Sequence, residues 1–219
     1  MFSGTNSLTN ICKLTIIFCL SISLGSGWAS AAAADTESYY APPTNISSGL
    51  QISYSDKFSQ DYINLNTNAF ARFSNATSAF HFNKEKRTIT NLRASIAAGS
   101  VSSPDKDLTW ILIARTALSI NEFEEIVLFS TQPATFGADH TTTLEGYMTL
   151  RGITGPVKIQ ARLHFVDGGN ILFGEKGSIG MSLNINFLCS DFGMAPVDSN
   201  NKSRGDLGAL RIDMRAIRQ

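Results

Sequence analysis

Residues 157–165 read Val157-Lys158-Ile159-Gln160-Ala161-Arg162-Leu163-His164-Phe165, and the polarity changes at every step. Side chains on a β-strand point alternately to opposite faces, so Val157, Ile159, Ala161, Leu163 and Phe165 make one apolar face and the residues between them a wet one. On a helix the same apolar residues would scatter round every side. The stretch is therefore a strand with a face to bury. Burying it stabilises by roughly 1.5–3 kcal/mol per large side chain.

The alternation recurs on both sides. Upstream, Leu144, Gly146, Met148 and Leu150 alternate with Glu145, Tyr147, Thr149 and Arg151. Gly152-Ile153-Thr154-Gly155-Pro156 lies between the two runs and predicts a short turn, hence an antiparallel hairpin. Downstream, Ile179, Met181, Leu183, Ile185 and Phe187 alternate with small polar residues, and Leu210, Ile212 and Met214 repeat the pattern in a last strand. Asp167-Gly168-Gly169-Asn170 and Gly174-Glu175-Lys176-Gly177 carry turn chemistry.

The earlier half is noisier. Leu50, Ile52 and Tyr54 begin a strand. Residues 70–82 read as one long, bent strand with Phe80 and Phe82 on one face, and residues 83–86 turn it into another over 88–98. Residues 125–136 return to strand. Between Asp105 and Ile120 the apolar positions Trp110, Ile111, Ile113, Ala114, Ala117 and Leu118 fall near helical spacing, which predicts a short helix. The sum is an all-β fold of about eight strands with one short helical insertion. Strands with one apolar face each must close on themselves or pair with a second sheet. At eight strands a barrel is just wide enough to be filled by side chains or to hold one small ligand, and periodicity leaves both open.

Residues 1–31 read as a signal peptide. Lys13 is the only charge before Asp35; an apolar run from Leu14 to Leu24 follows, then Gly25-Ser26-Gly27 and the small-residue stretch Ala29-Ser30-Ala31-Ala32-Ala33-Ala34. About 11 apolar-rich residues are too few for a bilayer that needs about 20, so a signal fits better than an anchor. Cleavage after Ala31 fits best, with Ala33 and Ala34 as alternatives, and predicts a periplasmic or secreted protein with no transmembrane segment in the mature chain. Residues 32–48, with Pro42-Pro43 among Thr, Asn and Ser, read as a flexible linker, and residues 49–219 as the folded domain. Cys12 and Cys19 would leave with the signal, so Cys189 has no partner for an intramolecular disulfide and reads as a core residue.

Composition narrows the function classes. Lys+Arg and Asp+Glu are both 18, and charged residues are 16% of the chain. No basic excess points to nucleic acid or to an anionic surface. His81, His140 and His164 share no metal-ligand spacing. No Gly-x-Ser-x-Gly elbow occurs, and Asp191-Phe192-Gly193 lacks every companion motif of a kinase. Glu124-Glu125 are neighbours on a strand and point apart. No catalytic residue, metal or cofactor is expected.

Two stretches resemble the YceI-like family of exported bacterial proteins: Leu144 to Val157, with its Gly-Tyr-Met-Thr-Leu-Arg-Gly-Ile-Thr-Gly-Pro-Val core, and Ser190-Asp191-Phe192-Gly193-Met194 at a strand end. The likeness covers residues 50–217. It departs from the family at Cys189, where a basic residue is usual, and between Asp105 and Phe129, where the family's Asp-x-His-Leu-Arg stretch is not recognisable. The resemblance implies an eight-stranded antiparallel, lipocalin-like barrel. It also implies an apolar tunnel for a polyisoprenoid, quinone or fatty amphiphile.

Phe73, Phe80, Phe82, Trp110, Phe165, Met181 and Phe187 either fill an ordinary core or line such a cavity, and so do Met148, Leu150, Val157, Ile159, Leu163, Leu183 and Ile185 on the same apolar faces. The expectation is non-catalytic binding, transport or sequestration of an apolar ligand. The rivals are a solid-core interaction module and a lipid-modifying enzyme. A homodimer is left open.

Overall fold

The alternation around Val157 becomes a strand of 14 residues, Ile153–Val166, in a computed structural model that describes residues 36–56, 68–104, 109, 112–113, 117–166, 177–194, 198–199 and 202–219. All of these belong to the compact unit Ala34–Gln219. The strands in chain order are β1 (Thr36–Ala41), β2 (Ile46–Asp56), β3 (Asn68–Phe73), β4 (Ala76–Asn83), β5 (Thr88–Ala97), β6 (Val101–Ser102) and β7 (Glu125–Ser130). They continue with β8 (Ala134–Thr135), β9 (Thr141–Leu150), β10 (Ile153–Val166), β11 (Ser178–Leu188), β12 (Asp198–Ser199) and β13 (Lys202–Arg218).

Eight of them close a ring. β1 pairs with β4, then β5, β7, β9, β10, β11 and β13 follow, and β13 returns to β1. Each pairing in the ring is antiparallel. β2 and β3 extend two of these staves: β2 runs along β13, and β3 pairs with β2 and β6. Closure removes the sheet edges that would otherwise present unpaired N–H and C=O groups. It also turns every strand's apolar face toward one shared interior, which is the core.

The segment read as a linker is part of the barrel. Thr36–Ala41 pairs with β4 along its whole length, from Thr36 opposite Asn83 to Ala41 opposite Ser78. The domain therefore starts before residue 49. Pro42 and Pro43 obscured this: proline donates nothing to a ladder. They break the stave into β1 and β2 across a 3-10 turn at Pro43–Asn45.

The first turn is tighter than expected. Ile153 to Pro156 belong to β10, paired with Leu150 to Tyr147. Only Arg151 and Gly152 link the strands, both with positive φ (53° and 70°). Two such residues in succession give a primed turn, whose twist suits a two-residue hairpin.

Thr109, Leu112 and Ile113 are helical, and Leu112 is buried, within the span whose spacing predicted a helix, while Ala117 and Leu118 of the same expectation lie in a turn. Trp110 lies outside the described residues, as do residues 1–35.

Candidate functional site: the barrel interior

Directly opposed residues in an antiparallel sheet share a face, so the ladder registers give the interior row by row. On one wall Ile212, Leu183 and Ala161 stand opposite one another across β13, β11 and β10. The row below them is Leu210, Ile185, Ile159 and Leu144. This wall is built mostly of large aliphatic side chains. The other wall is smaller. Ala41, Ser78 and Ala94 face one another across β1, β4 and β5 before the row meets Leu128 and Met148. Ala71 and Ala76 add to it.

Aromatic rings gather at the two ends. Tyr39 stacks on Phe80 with centroids 5.5 Å apart, and Phe82 bridges Tyr39 and Phe136. At the opposite end of β11, Phe187 meets Phe192 edge to face at 5.5 Å. Gly208 permits this, because a Cβ there would lie 2.4 Å from the Phe187 ring. Phe192 sits in the short turn Ser190–Phe192, which Gly193 ends with a φ of 65°. Bulk at both ends and small residues along one middle wall give the interior an uneven profile.

Of the residues singled out from sequence, Phe73, Phe80, Phe82, Met148, Leu150 and Val157 are buried in this one cluster. So are Ile159, Leu163, Met181, Leu183, Ile185 and Phe187. Phe165 is not among them. The β10–β11 register shifts between Leu163 and Phe165, so that Leu163 opposes Met181 but Phe165 opposes Gly180. His164 is the extra residue of a bulge, and it carries Phe165 to the outer face. There the ring is 40% exposed and lies over Gly180. Sequence alternation cannot register an inserted residue, because it assumes a constant period of two.

The reading from sequence missed Tyr39, Ala41, Ser48 and Phe192. Tyr39 and Ala41 do alternate with Ser38 and Tyr40, but the run is short and ends at two prolines. Phe192 lies in a turn, where periodicity has no meaning.

Charges stay outside. Among the residues whose side chains are described no Asp, Glu, Lys or Arg is buried. At the seam, Glu37 takes Lys84 Nζ and Arg218 at 2.8 Å each and the Tyr39 hydroxyl at 2.6 Å. The Lys84 ammonium, then Tyr39 and Arg218, hold the Glu37 carboxyl down to a pKa of about 2. On the outer face of β10, β11 and β13, Ser182 donates to Asp213 at 2.5 Å and lies 2.5 Å from His164 Nε2. Burial pushes the Asp213 carboxyl up, but Arg211, Ser182 and His164 outweigh it and leave it below its ordinary value. His81 and His140 are engaged singly, with Asn91 and Arg87. Among the described residues no three metal-ligating side chains converge.

Two fully buried hydroxyls lie on inward strand faces among the residues whose side chains are described. Ser78 donates to the Arg93 carbonyl at 3.0 Å. Ser48 is 2% exposed, and its Oγ has no hydrogen-bond partner among the described residues.

A family model described as YceI-like domain matches residues 48–216. The fold is similar to solved structures of the same type. The YCEI protein of Campylobacter jejuni superposes with a TM-score of 0.59 at 17% identity, over 74% of this chain and 91% of its own. BcnA of Burkholderia cenocepacia gives 0.57 at 11% identity, over 77% and 95%. A polyisoprenoid binding domain from Saccharophagus degradans, implicated in plant cell wall breakdown, gives 0.54 at 10% identity, over 84% and 99%. No curated protein matches the chain.

Proposed function

The chain belongs to the YceI-like domain family, and on that premise we propose that it is a non-catalytic carrier that holds an isoprenoid-like or fatty amphiphile inside its barrel. The observation that carries the reading is the interior itself: apolar on all eight staves, with one wall of alanine and serine facing another of leucine, isoleucine and methionine. A chain laid along the small wall would exchange water for side chains over its whole length. At about 0.8 kcal/mol per buried methylene, a long tail gains useful affinity without many hydrogen bonds. Met148 and Met181, both buried, have the flexible side chains that adapt to an irregular ligand. The polyisoprenoid binding domain of similar fold favours the isoprenoid class.

Binding is favoured over catalysis by the contact of Ser182 with His164, the one serine–histidine contact among the described residues. Ser182 already gives its proton to Asp213, so His164 is not placed to accept it, and a nucleophile needs that transfer. The signal-like residues 1–31 support export to the periplasm or beyond.

Native mass spectrometry of gently purified mature protein tests the reading. A co-purifying lipid of defined mass, unchanged after long incubation, is the expected result. Protein that carries no lipid and takes up none from vesicles or micelles would leave a filled, ligand-free barrel as the better account. A lipid whose mass changes would make the protein an enzyme.

A further inference from the structure

Ser48 places a hydroxyl at mid-height of an apolar interior. It stands opposite Ile212 on one side and Phe73 on the other, both buried. Ile212 in turn opposes Leu183, near the centre of β11. The next residue back along the strand, Ser47, is exposed, so the alternation aims Ser48 inward. Its Oγ is buried without a partner among the described residues. A buried hydroxyl left unpaired costs folding free energy comparable to a lost hydrogen bond, so such groups are uncommon unless they serve something. Ser78, the other fully buried inward hydroxyl among the described side chains, is satisfied by the Arg93 carbonyl. Ser48 therefore stands apart from its closest analogue in the same barrel.

Resting on the carrier reading above, we propose that Ser48 hydrogen-bonds a small, neutral, oxygen-bearing group of the ligand, so that the polar head enters the barrel to mid-height instead of remaining at its mouth. The class is an ester, ketone, quinone-type carbonyl or alcohol on an apolar chain. A carboxylate or phosphate head is excluded from that depth. Among the residues whose side chains are described no Lys or Arg is buried to pair with it, and an unpaired charge in such surroundings costs far more than one hydroxyl returns. Phe73 and Ile212 flank Ser48 directly, and Ala71, diagonal to it on β3, is its small neighbour.

The test compares delipidated mature protein with its Ser48→Ala and Ser48→Thr variants. The probes are methyl palmitate, palmitate anion and n-octadecane. Ser48→Ala is expected to bind the ester roughly tenfold more weakly, the effect of one hydrogen bond. Ser48→Thr, which keeps the hydroxyl, should bind the ester within about threefold of the parent. Octadecane should bind the parent and the Ala variant alike, and the anion should be unaffected by the Ala substitution. Without ligand, Ser48→Ala should melt no lower than the parent, because it removes an unpaired group. A lower Tm would mean that the hydroxyl already has a partner, a bound water included, and would overturn the proposal. Equal ester affinity in the parent and Ser48→Ala would overturn it while leaving the carrier reading intact. If the parent binds none of the three probes, the carrier reading fails and this proposal with it.

Discussion

Tyr39 stands directly opposite Arg218, so the first described strand is paired with the last. The joint is short, with Tyr40 opposite Ile217 as its second rung. Glu37 reinforces it from both sides by holding Lys84 at the end of β4 and Arg218 on β13. The ring is thus closed by residues at the two extremes of the folded chain.

Truncation tests that closure. Cleavage after Ala31 would leave only residues 32–35 ahead of β1, so a chain starting at residue 32 should fold and melt cooperatively. A chain starting at Ile46 lacks β1 and leaves β4 without one neighbour along its length. It is expected to be insoluble or to bind ANS strongly. A cooperative unfolding transition of unchanged midpoint in the shorter chain would show that the seam is dispensable.

Glu37→Gln should destabilise the protein by about 1–2 kcal/mol at neutral pH, since it weakens charge-assisted bonds that remain partly solvated. The sign of the pH dependence follows from the depressed carboxyl. Its folded pKa is about 2 against an ordinary 4.5. The stability it contributes is therefore fully present above pH 4.5 and is lost as the pH falls toward 2. Urea unfolding across that range should show the parent and the variant converging at the acid end. A constant gap at every pH would assign the difference to packing.

Two glycines separate rigid from yielding contacts. A Cβ on Gly146 would lie 2.2 Å from the Phe129 carbonyl oxygen, which belongs to the neighbouring strand's backbone. A Cβ on Gly180 would lie 2.3 Å from the Phe165 ring, which is exposed and free to swing outward. Gly146→Ala is expected to cost about 2–4 kcal/mol and Gly180→Ala about 1 kcal/mol or less. Denaturant midpoints of the two variants measure the difference. Equal losses would mean that the Phe165 ring is pinned by something other than Gly180.

Ala94→Leu probes the small wall. If a ligand occupies the space beside Ala41, Ser78 and Ala94, the added side chain takes that space. The delipidated variant should then stay within about 1 kcal/mol of the parent and lose most of its lipid. In a filled barrel the same change overpacks the core and costs about 1–3 kcal/mol. Thermal melts and native mass spectra of the same preparation distinguish the two. A destabilised variant with no change in lipid content would count against the carrier.

Much of the interior was legible in advance because it depends on a local rule. Leu144 to Leu150, Val157 to Leu163 and Ile179 to Phe187 each alternate without interruption, and each buries the predicted face. The failures lie where the rule is suspended. A bulge at His164 put Phe165 outside, two prolines hid β1, and a turn held Phe192.

The sequence by itself determined most of the strands after Pro43 and the inward faces of the regular ones, because side-chain direction on a strand follows from position alone. Tertiary structure decided that the strands form one closed ring, that the segment before Pro42 completes it, and that Ser48 faces the interior with no partner among the described residues. Those facts depend on which residues from distant parts of the chain stand opposite one another. Register across a seam is set by the fit of two strands and is carried by neither alone.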